Sequence, residues 1–481
     1  MSYAVRGRVV LKYFGKLCII LGAMTLVTVI VSLILEEYFL TLTYLQVFLF
    51  LSLLGFTLGR RKAPDNVQTN EALAITALIF LFTALVASYP MVAAGLQFED
   101  ALFESISGIT TTGLSTLPTM EGKAGTFLFA RAWTQWIGGL GIVVFSIAIL
   151  MRPGIATKRF IEMDKKEDIV GGTRVYAVQV TKVYLILTGA GIGLLLLMGE
   201  SLFSSVTHTL AAVSTGGFSI YDNSLSGFKK MGARVAIILI SFLGAVSLIL
   251  YYQVTQKGGL KKMMADIEVR VLMFACCITT LLLTFFMILA NSESWHRVLS
   301  QAPLLAFSSQ TTTGFSNINI HQMDSASKLV LVVSMMLGGS VGSTADGIKI
   351  IRVVILIKLI RMILIRTSLS GHAVVDMRLS GQKLDTDDVE RALIVMLFFI
   401  IIVALSWFSF VIMGYDPVDS LFEVASATGT VGLSTGITSG DLHTFLKGVL
   451  CADMFMGRLE IIALLVLVFP KTWFGRRLQS L

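Results

Sequence analysis

Four short polar segments of the chain share one pattern, in which a threonine is followed two residues later by a glycine, then by leucine or phenylalanine, then by serine. The shared glycines are Gly113, Gly217, Gly314 and Gly432, and they recur about every 100 residues, as in an internal repeat. Such segments supply carbonyl and hydroxyl oxygens, and a ring of carbonyl oxygens can replace the hydration shell of a monovalent cation. The chemistry that these residues suit is therefore cation coordination.

The fourth segment carries the clearest signal for this chemistry. Thr430-Val431-Gly432 matches the first three positions of the potassium-channel filter sequence TVGYG. Glycine suits the shared position because it reaches backbone angles that are forbidden to other residues. A short half-helix before each segment would direct its negative C-terminal end at the centre and favour a cation there. Ordinary re-entrant packing of glycine- and threonine-rich loops is the alternative interpretation.

Long apolar runs must position these segments. The chain of 481 residues is 55% hydrophobic and only 14% charged, with a mean hydropathy of +0.82, as in a polytopic membrane protein. The first run lacks a small-residue cleavage site and a second span follows at once, which favours a retained helix over a signal peptide. Because a spanning helix needs roughly 20 apolar residues, the runs predict about ten crossings, beginning near Leu17, Leu45, Leu73, Thr126, Val175, Val235, Val269, Leu329, Leu393 and Thr444.

The polar segments stand at equivalent places among these runs. Each follows a spanning run and a short apolar stretch and precedes another spanning run, which predicts four repeats of helix, half-helix, extended loop and helix. Extended backbone at membrane depth is tolerated only where it is buried in protein or lines a water-filled path. A pair of small residues recurs upstream at a fixed offset, as Ser107-Gly108, Ala211-Ala212, Ser308-Ser309 and Ser426-Ala427.

The charged residues indicate the orientation. Basic clusters occupy every second connection, which predicts that these connections and both termini are cytoplasmic; they lie at 6–16, 60–62, 152–166, 257–270, 352–366 and 476–477. Lys229, Lys230 and Lys328 are exceptions. The net charge of +8 is thus a topology signal, and no nucleic-acid partner is predicted. The four cysteines lie inside apolar runs and no histidines are spaced for a shared metal, so we predict no disulfide framework, zinc site or enzyme.

The run from 329 to 365 is interrupted by a glycine-rich stretch at 337–347, which holds Gly338, Gly339, Gly342 and Gly347. Each glycine costs about 1 kcal/mol relative to alanine in a helix, and an unbroken helix of this length would measure ~55 Å. A break at mid-membrane again indicates a pore. A nucleotide-binding loop is disfavoured because no GK[ST] follows, and a packing kink is the alternative.

Arg458 lies inside the last spanning run. A charge within a membrane is costly and normally faces a partner or an aqueous cavity. Its partner could be Glu460 or Asp453 on the same helix, or it could contact the glycine-rich stretch. Lys349 and Arg352 follow that stretch, and we expect them to extend to the cytoplasmic surface.

Two glutamates occupy matching places, because Glu104 and Glu423 each lie nine residues before the shared glycine of their segment. His208 and Leu305 fill the same place in the other repeats. The glutamates could shape the outer electric field or anchor the half-helices, and anchoring is the favoured interpretation. His208 is interpreted as a hydrogen-bonded packing residue.

These segments and their order resemble a known family. The chain is identified as a member of the Trk/Ktr/HKT superfamily of potassium transporters, and its extra N-terminal helix pair makes it most similar to the TrkH/TrkG branch. The resemblance covers nearly the whole chain and implies an all-α membrane protein with four pseudo-symmetric helix–pore-helix–filter-loop–helix repeats around one pore. The implied division is a helix pair at 1–66 and pore repeats at 67–168, 169–262, 263–384 and 385–481.

The resemblance also implies roles for individual residues. The family loop beneath the filter is usually GSTGGG and obstructs the pathway; here it would be the gate loop 338–347, in which Ala345 and Asp346 replace two glycines. Arg458 is expected to contact the carbonyls or Asp346 of this loop and to raise the barrier to cations. The implied filter residues are Thr111, Thr112, Gly113, Thr215, Gly216, Gly217, Thr312, Thr313, Gly314, Thr430, Val431 and Gly432. The implied gate residues are Gly338, Gly339, Gly342, Ser343, Thr344, Asp346, Gly347 and Arg458.

The implied activity is potassium uptake across the cytoplasmic (inner) membrane through a channel-like pore. Only the fourth repeat keeps TVG, so we expect K+ and Rb+ to be selected over Na+ less sharply than by a fourfold TVGYG filter. The resemblance implies a homodimer and a cytoplasmic partner of the TrkA type, a ring of domains that bind NAD or ATP/ADP. No cofactor is expected in this chain. A proton- or sodium-coupled, KtrB-like symporter is the alternative, although no embedded run of Asp, Glu and His indicates a proton relay.

Overall fold

The described part of the chain is mostly helical, which confirms the predicted all-α class. The computed structural model describes residues 4–64, 66–150, 169–256, 259–290, 294–368, 378–379, 382–384 and 386–474. Its strands are β1 (Arg378–Leu379) and β2 (Gln382–Lys383), which form one antiparallel hairpin. The basic clusters at 152–166 and 476–477, and Lys257 of a third, lie outside the described residues.

The predicted N-terminal helix pair consists of α1 (Gly7–Ile34) and α2 (Tyr38–Gly59). The two helices approach closely where glycines face each other, because a side chain on Gly15 would meet the backbone of Gly59 and one on Gly55 would meet the carbonyl of Gly15. Close approach at small residues is a usual way for helices to associate in a membrane. The pair therefore packs tightly and lies against the first repeat through α3 and α5.

Four series of helices follow, each with a short half-helix between longer elements. The first series is α3 (Thr69–Ala93), α4 (Phe98–Ile109) and α5 (Gly125–Leu150). The second is α6 (Ile169–Leu197), α7 (Leu202–Val213), α8 (Met231–Ala245), α9 (Leu248–Gln256) and α10 (Gly259–Ala265). The third is α11 (Ile267–Leu289), α12 (Trp295–Gln310), α13 (Ser325–Met336) and α14 (Ile350–Arg366). The fourth is α15 (Thr386–Ile412), α16 (Pro417–Thr428), α17 (Thr444–Arg458), α18 (Ile462–Val468) and α19 (Pro470–Phe474).

Seven of the described helices are long and apolar enough to span a membrane, namely α1, α2, α3, α5, α6, α11 and α15. The other three predicted runs, beginning near Val235, Leu329 and Thr444, are the last spanning segments of repeats 2, 3 and 4. None of the three is one continuous helix. The pair α8 and α9 is bent by 87°, α13 and α14 are separated by the glycine-rich stretch, and α17 ends at Arg458. The sequence indicated only the second of these breaks.

The break in the fourth repeat is made by two residues in left-handed backbone conformation, Glu460 (φ 53°) and Ile461 (φ 61°). This conformation is unfavourable for a non-glycine residue and especially for a β-branched one, so the surrounding structure must hold it. Arg352 contributes by pairing with Glu460 at 2.5 Å. Beyond the break, α18 packs against α3 of the first repeat, and the carbonyl of Thr472 accepts a 2.7 Å hydrogen bond from the amide of Val5.

Candidate functional site

The four half-helices α4, α7, α12 and α16 end in the same way. The threonine that follows the C-cap residue has a left-handed φ of 50° to 54° in each repeat, at Thr111, Thr215, Thr312 and Thr430. The next amide then bonds back to the carbonyl of the first small residue of the recurrent pair, at 2.7 to 2.9 Å, in all four repeats. The conserved offset within this chain thus reflects one helix-ending turn that is built four times.

The four shared glycines close a ring. A Cβ atom on Gly113 would overlap the carbonyl oxygen of Gly216 in the next repeat, and Gly217, Gly314 and Gly432 stand in the same relation to the next repeat in turn. The carbonyls that they face belong to Thr313, Val431 and Thr112, so the fourth repeat meets the first. All four glycines have φ between 76° and 92°, which only glycine adopts readily. The loops therefore converge around one axis, as the repeat pattern predicts.

One polar cavity of about 450 Å³ opens on this ring, and all four shared glycines line it. The rest of its wall consists of residues that follow the glycines, such as Ser115, Ser219 and Ser316. The ends of the half-helices lie on the other side of the ring. Each loop therefore runs from the buried interior to the cavity.

In three repeats, the polar side chain nine positions before the shared glycine anchors the loop. Glu104, fully buried, accepts from the Ser115 hydroxyl and from the Thr116 amide, and pairs with Arg131 at 2.8 Å. In the second repeat, His208 takes this place and its Nε2 lies 3.0 Å from the Ser219 hydroxyl. In repeats 1, 2 and 4 the side chain at this place holds the serine that ends the pattern, which agrees with the anchoring interpretation and with a packing role for His208.

Glu423 is the most extensively bonded of these anchors. Its carboxylate accepts from the hydroxyls of Ser434 and Thr438, both at 2.6 Å, and from the amide and hydroxyl of Thr435 at 2.7 and 3.1 Å. We expect Glu423→Ala to lower the melting temperature of the purified protein, because each buried donor left unpaired costs about 1–3 kcal/mol. Glu99→Ala is the matched control: this exposed glutamate of α4 accepts a single hydrogen bond, from the Thr444 hydroxyl, and its loss should lower the melting temperature far less. Equal melting temperatures for the two variants would contradict the anchoring role.

At the edge of the cavity, Asp222 joins the connections that follow the shared glycines of repeats 1 and 2. Its carboxylate accepts from the Thr119 hydroxyl at 2.7 Å and from the amides of Met120 and Glu121. Partial burial raises the pKa of Asp222, but these hydrogen bonds from Met120, Thr119 and Glu121 outweigh it and lower the pKa overall.

This shift predicts a dependence of stability on pH. A group with a lowered pKa stabilises the folded state above the pKa of the unfolded chain, and this contribution disappears as the pH falls through the folded-state pKa. We expect the melting temperature of the wild type to exceed that of Asp222→Asn at neutral pH and to approach it in acid. Glu121→Gln, in the same connection, is the control. A difference between wild type and Asp222→Asn that persists unchanged into acid would contradict the role of the ionised carboxylate.

The glycine-rich stretch forms a closed, buried loop on the interior side of the ring. Its two ends are joined, since the Gly338 amide donates to the Ile348 carbonyl at 3.0 Å and the Ile348 amide donates to the Met336 carbonyl at 2.9 Å. Two threonines of the glycine-ring loops contact it: the Thr430 hydroxyl donates to Asp346 Oδ2 at 2.9 Å, and the Asp346 amide donates to the Thr312 hydroxyl at 3.1 Å. The loop therefore lies directly beneath the ring.

The bend between α8 and α9 supports the same loop. The amides of Ser340 and Thr344 donate to the carbonyls of Ala245 and Gly244 at 3.1 and 3.2 Å. The Thr344 hydroxyl also reaches the Val213 carbonyl, at the end of α7. Glu268, on α11, accepts from the Val341 amide at 2.8 Å. The exposed backbone groups at the bend thus find partners in the loop, which explains why the helix can break there.

Arg458 completes the contacts between the loop and the four repeats. Its guanidinium is fully buried; it forms an ion pair with Asp346 and donates to the Thr344 carbonyl at 2.8 Å and to the Gly138 carbonyl of the first repeat at 3.0 Å. The expected contact with the loop is present. The alternative partners bond elsewhere, Glu460 to Arg352 at 2.5 Å and Asp453 to the Ser406 hydroxyl at 2.7 Å.

Lys349 corrects one expectation. We expected it to extend to the cytoplasmic surface, but it is only 6% exposed, donates to the Ala345 carbonyl and lies 3.7 Å from Asp346 Oδ1. Arg352 is likewise turned inward, to Glu460. The sequence did not single out Glu268 or Gln135. The Gln135 side-chain amide donates to the Gly216 carbonyl and accepts from the Phe218 amide, in the loop of the second repeat. A polar residue within an apolar helix was the only available signal for either.

Four re-entrant loops that enclose one axis, with a polar cavity on one side and a buried loop on the other, define a multi-pass membrane protein built as four repeats around a pore. The sequence matches the TrkH family, described as Cation transport protein, over residues 39–473. The chain belongs to this family, which confirms the resemblance read from its four segments.

Individual relatives cover almost the same length. An uncharacterized cation transporter of Methanocaldococcus jannaschii is 28% identical over 461 residues, which are 95% of this chain and 94% of the relative. The Trk system potassium uptake protein TrkG of Escherichia coli is 27% identical over 426 residues, which are 86% of this chain and 87% of the relative. The crystal structure of the potassium transporter TrkH from Vibrio parahaemolyticus superposes with a TM-score of 0.87 over 98% of this chain and 100% of that chain. At 24% identity, this match establishes the shared fold.

Proposed function

We propose that this protein takes up K+ through a channel-like pore whose filter consists of the four segments around Gly113, Gly217, Gly314 and Gly432. The observation that carries the proposal is the closed ring of glycines and carbonyls that opens on one polar cavity. Relatives across most of the chain are named potassium uptake proteins. Carbonyl oxygens arranged in this way replace the water around a monovalent cation.

The unequal filter sequences determine the expected selectivity. Threonine, glycine and valine precede the shared glycine in different repeats, so the carbonyl rings are built from Thr112, Gly216, Thr313 and Val431, which differ in stiffness and packing. K+ and Rb+ are preferred over Na+, with less discrimination than in a filter of four identical TVGYG segments. The membrane potential supplies about 2.3 kcal/mol per charge per 100 mV, which drives uptake without a coupled ion.

The loop 338–347 is the gate of this pore. It lies beneath the filter, contacts Thr312 and Thr430, and is held by Arg458, whose positive charge raises the barrier to a cation. A cytoplasmic partner of the TrkA type, carrying the nucleotide site for NAD or ATP/ADP, controls this loop from the basic inner face. The protein acts as a homodimer in the inner membrane with both termini cytoplasmic, and its repeats divide at 67–168, 169–262, 263–384 and 385–481.

Rubidium uptake tests the proposal. The chain is expressed in a host that lacks potassium uptake, and 86Rb+ accumulation is measured with and without external Na+; the purified chain is then measured in liposomes at a set voltage. Uptake that follows the voltage and does not need Na+ or a pH gradient is expected. Uptake that requires either gradient would favour the symporter, and no uptake in either system would refute the proposal.

A further inference from the structure

The guanidinium of Arg458 occupies a site that is built entirely of oxygen atoms. Its bonded partners are one carboxylate oxygen, Asp346 Oδ2, and the carbonyl oxygens of Thr344 and Gly138, which come from two repeats. We name these three atoms the oxygen cage. The Nε atom of Arg458 is buried without a hydrogen-bond partner among the described residues. The cage therefore neutralises the charge of the guanidinium but does not pair all of its hydrogen-bond donors.

The cage adjoins the inner end of the filter. The Thr430 hydroxyl donates to the same Asp346 Oδ2 at 2.9 Å, and the Asp346 amide bonds to the Thr312 hydroxyl at 3.1 Å. Both threonines begin filter loops. The hydroxyl of Thr430 is therefore a fourth oxygen within reach of any cation that replaces the guanidinium.

Apart from Arg458, the neighbouring charged side chains that the structure describes do not hydrogen-bond to Asp346 Oδ2. Lys349 lies 3.7 Å from the other carboxylate oxygen, Oδ1, and donates its hydrogen bond to the Ala345 carbonyl instead. Arg352 is neutralised by Glu460. Lys349 thus leaves Oδ2 free of its own hydrogen bond, and Oδ2 is shared between Arg458 and Thr430. When Arg458 leaves, Oδ2 and two carbonyl oxygens lose a full positive charge in a buried site, which is costly unless another cation enters.

We propose that the oxygen cage is a cation-binding site, filled by the Arg458 guanidinium when the gate loop is closed and by a permeant K+ or Rb+, or a blocking Ba2+, when Arg458 withdraws. The proposal rests on the proposed function for the placement of the cage on the ion path. Arg458 acts in it as a tethered cation that competes with the ions of the pore. Hard cations take carboxylate and carbonyl oxygens as ligands, which are the atoms present here.

Cation binding without transport is the first test. Purified Arg458→Gln, which empties the cage but keeps Asp346, is titrated with BaCl2 against choline chloride of equal ionic strength while its melting temperature is followed. We expect a saturable rise in melting temperature that the double variant Arg458→Gln, Asp346→Asn does not show. Arg6→Gln is the matched control, since it leaves a buried carboxylate, Glu71, far from the pore; it should respond as the wild type does. Identical titrations of R458Q and the double variant would overturn the proposal.

A second measurement covers the case in which R458Q does not fold. Asp346→Asn keeps the size of the side chain and both of its polar atoms. In liposomes, Ba2+ applied from the gate side should block Rb+ flux through D346N with an affinity lower than for the wild type by at least about tenfold, because the charge of the ligand is lost. Equal block of both proteins would overturn the proposal. An absence of Rb+ flux in the wild type would instead refute the proposed function, while the melting-temperature titration would still report on the cage.

Discussion

We expect Gly432→Ala to reduce rubidium uptake to the background of the uptake-deficient host and to lower the melting temperature of the purified protein. Two costs combine at this position. The residue has φ 92°, where an alanine is strained by about 1–2 kcal/mol, and its Cβ would overlap the carbonyl oxygen of Thr112, an atom of the ring itself. The fourth loop must then move away from the first, and the ring opens. The measurements are 86Rb+ accumulation and thermal unfolding of the same variant.

Gly436→Ala is the matched control for this experiment. Gly436 lies four residues further along the same loop and has φ 97°, but a Cβ atom there meets nothing within 4 Å. It carries the backbone strain without the collision, so we expect uptake within about twofold of wild type. If both variants lose uptake equally, backbone strain alone explains the loss and the contact between Gly432 and Thr112 is not needed for the pore.

We expect Arg458→Gln to increase Rb+ flux in liposomes that contain this chain alone. The wild-type guanidinium holds the gate loop through Asp346 and Thr344 and joins it to Gly138 in the first repeat. Without these bonds the closed loop is less stable, and a tenfold rise in flux corresponds to ~1.4 kcal/mol in the gating equilibrium. The variant should also melt at a lower temperature, because removing one partner of a buried ion pair costs about 3–5 kcal/mol.

Arg131→Gln separates gating from lost stability. Arg131 is 2% exposed and pairs with buried Glu104 at 2.8 Å, but it lies on the cavity side of the ring. The two variants lose comparable buried ion pairs, and only R458Q is expected to raise the flux at equal amounts of reconstituted protein. Flux through R458Q that equals the wild type, or that rises equally in R131Q, would contradict the role of Arg458 at the gate.

The sequence was sufficient to predict the ring because the requirements at its glycines are local. A left-handed threonine and a glycine two residues later are needed wherever the half-helix must turn back at its end, so the same residues recur at Gly113, Gly217, Gly314 and Gly432. The N-terminal helix pair and the interruption near Gly338 were equally visible, because apolar length and glycine content are properties of a single segment.

Contacts between distant segments could not be predicted in this way. The bend after Ala245 contains no proline, and its carbonyls accept from the amides of Ser340 and Thr344, about 100 residues away, so no local signal marks it. Glu460 and Ile461 adopt a conformation that their types disfavour, and an ion pair from Arg352 helps to hold them. Lys349 was expected at the surface because an unpaired lysine extends to water, but the Ala345 carbonyl and Asp346 provide a buried alternative that only the folded loop creates.

The meeting of the last repeat with the first has a consequence for assembly. Subunits that dock head to tail form either an open filament or a closed ring, according to whether their rotation returns to the start. Here α18 packs on α3, and Gly432 faces the Thr112 carbonyl. The surface of the last repeat that would receive a further repeat is therefore already covered by the first. Within the described residues, the ring of loops leaves no face on which a fifth unit could dock, so the number of units is fixed by the covalent chain, independent of protein concentration.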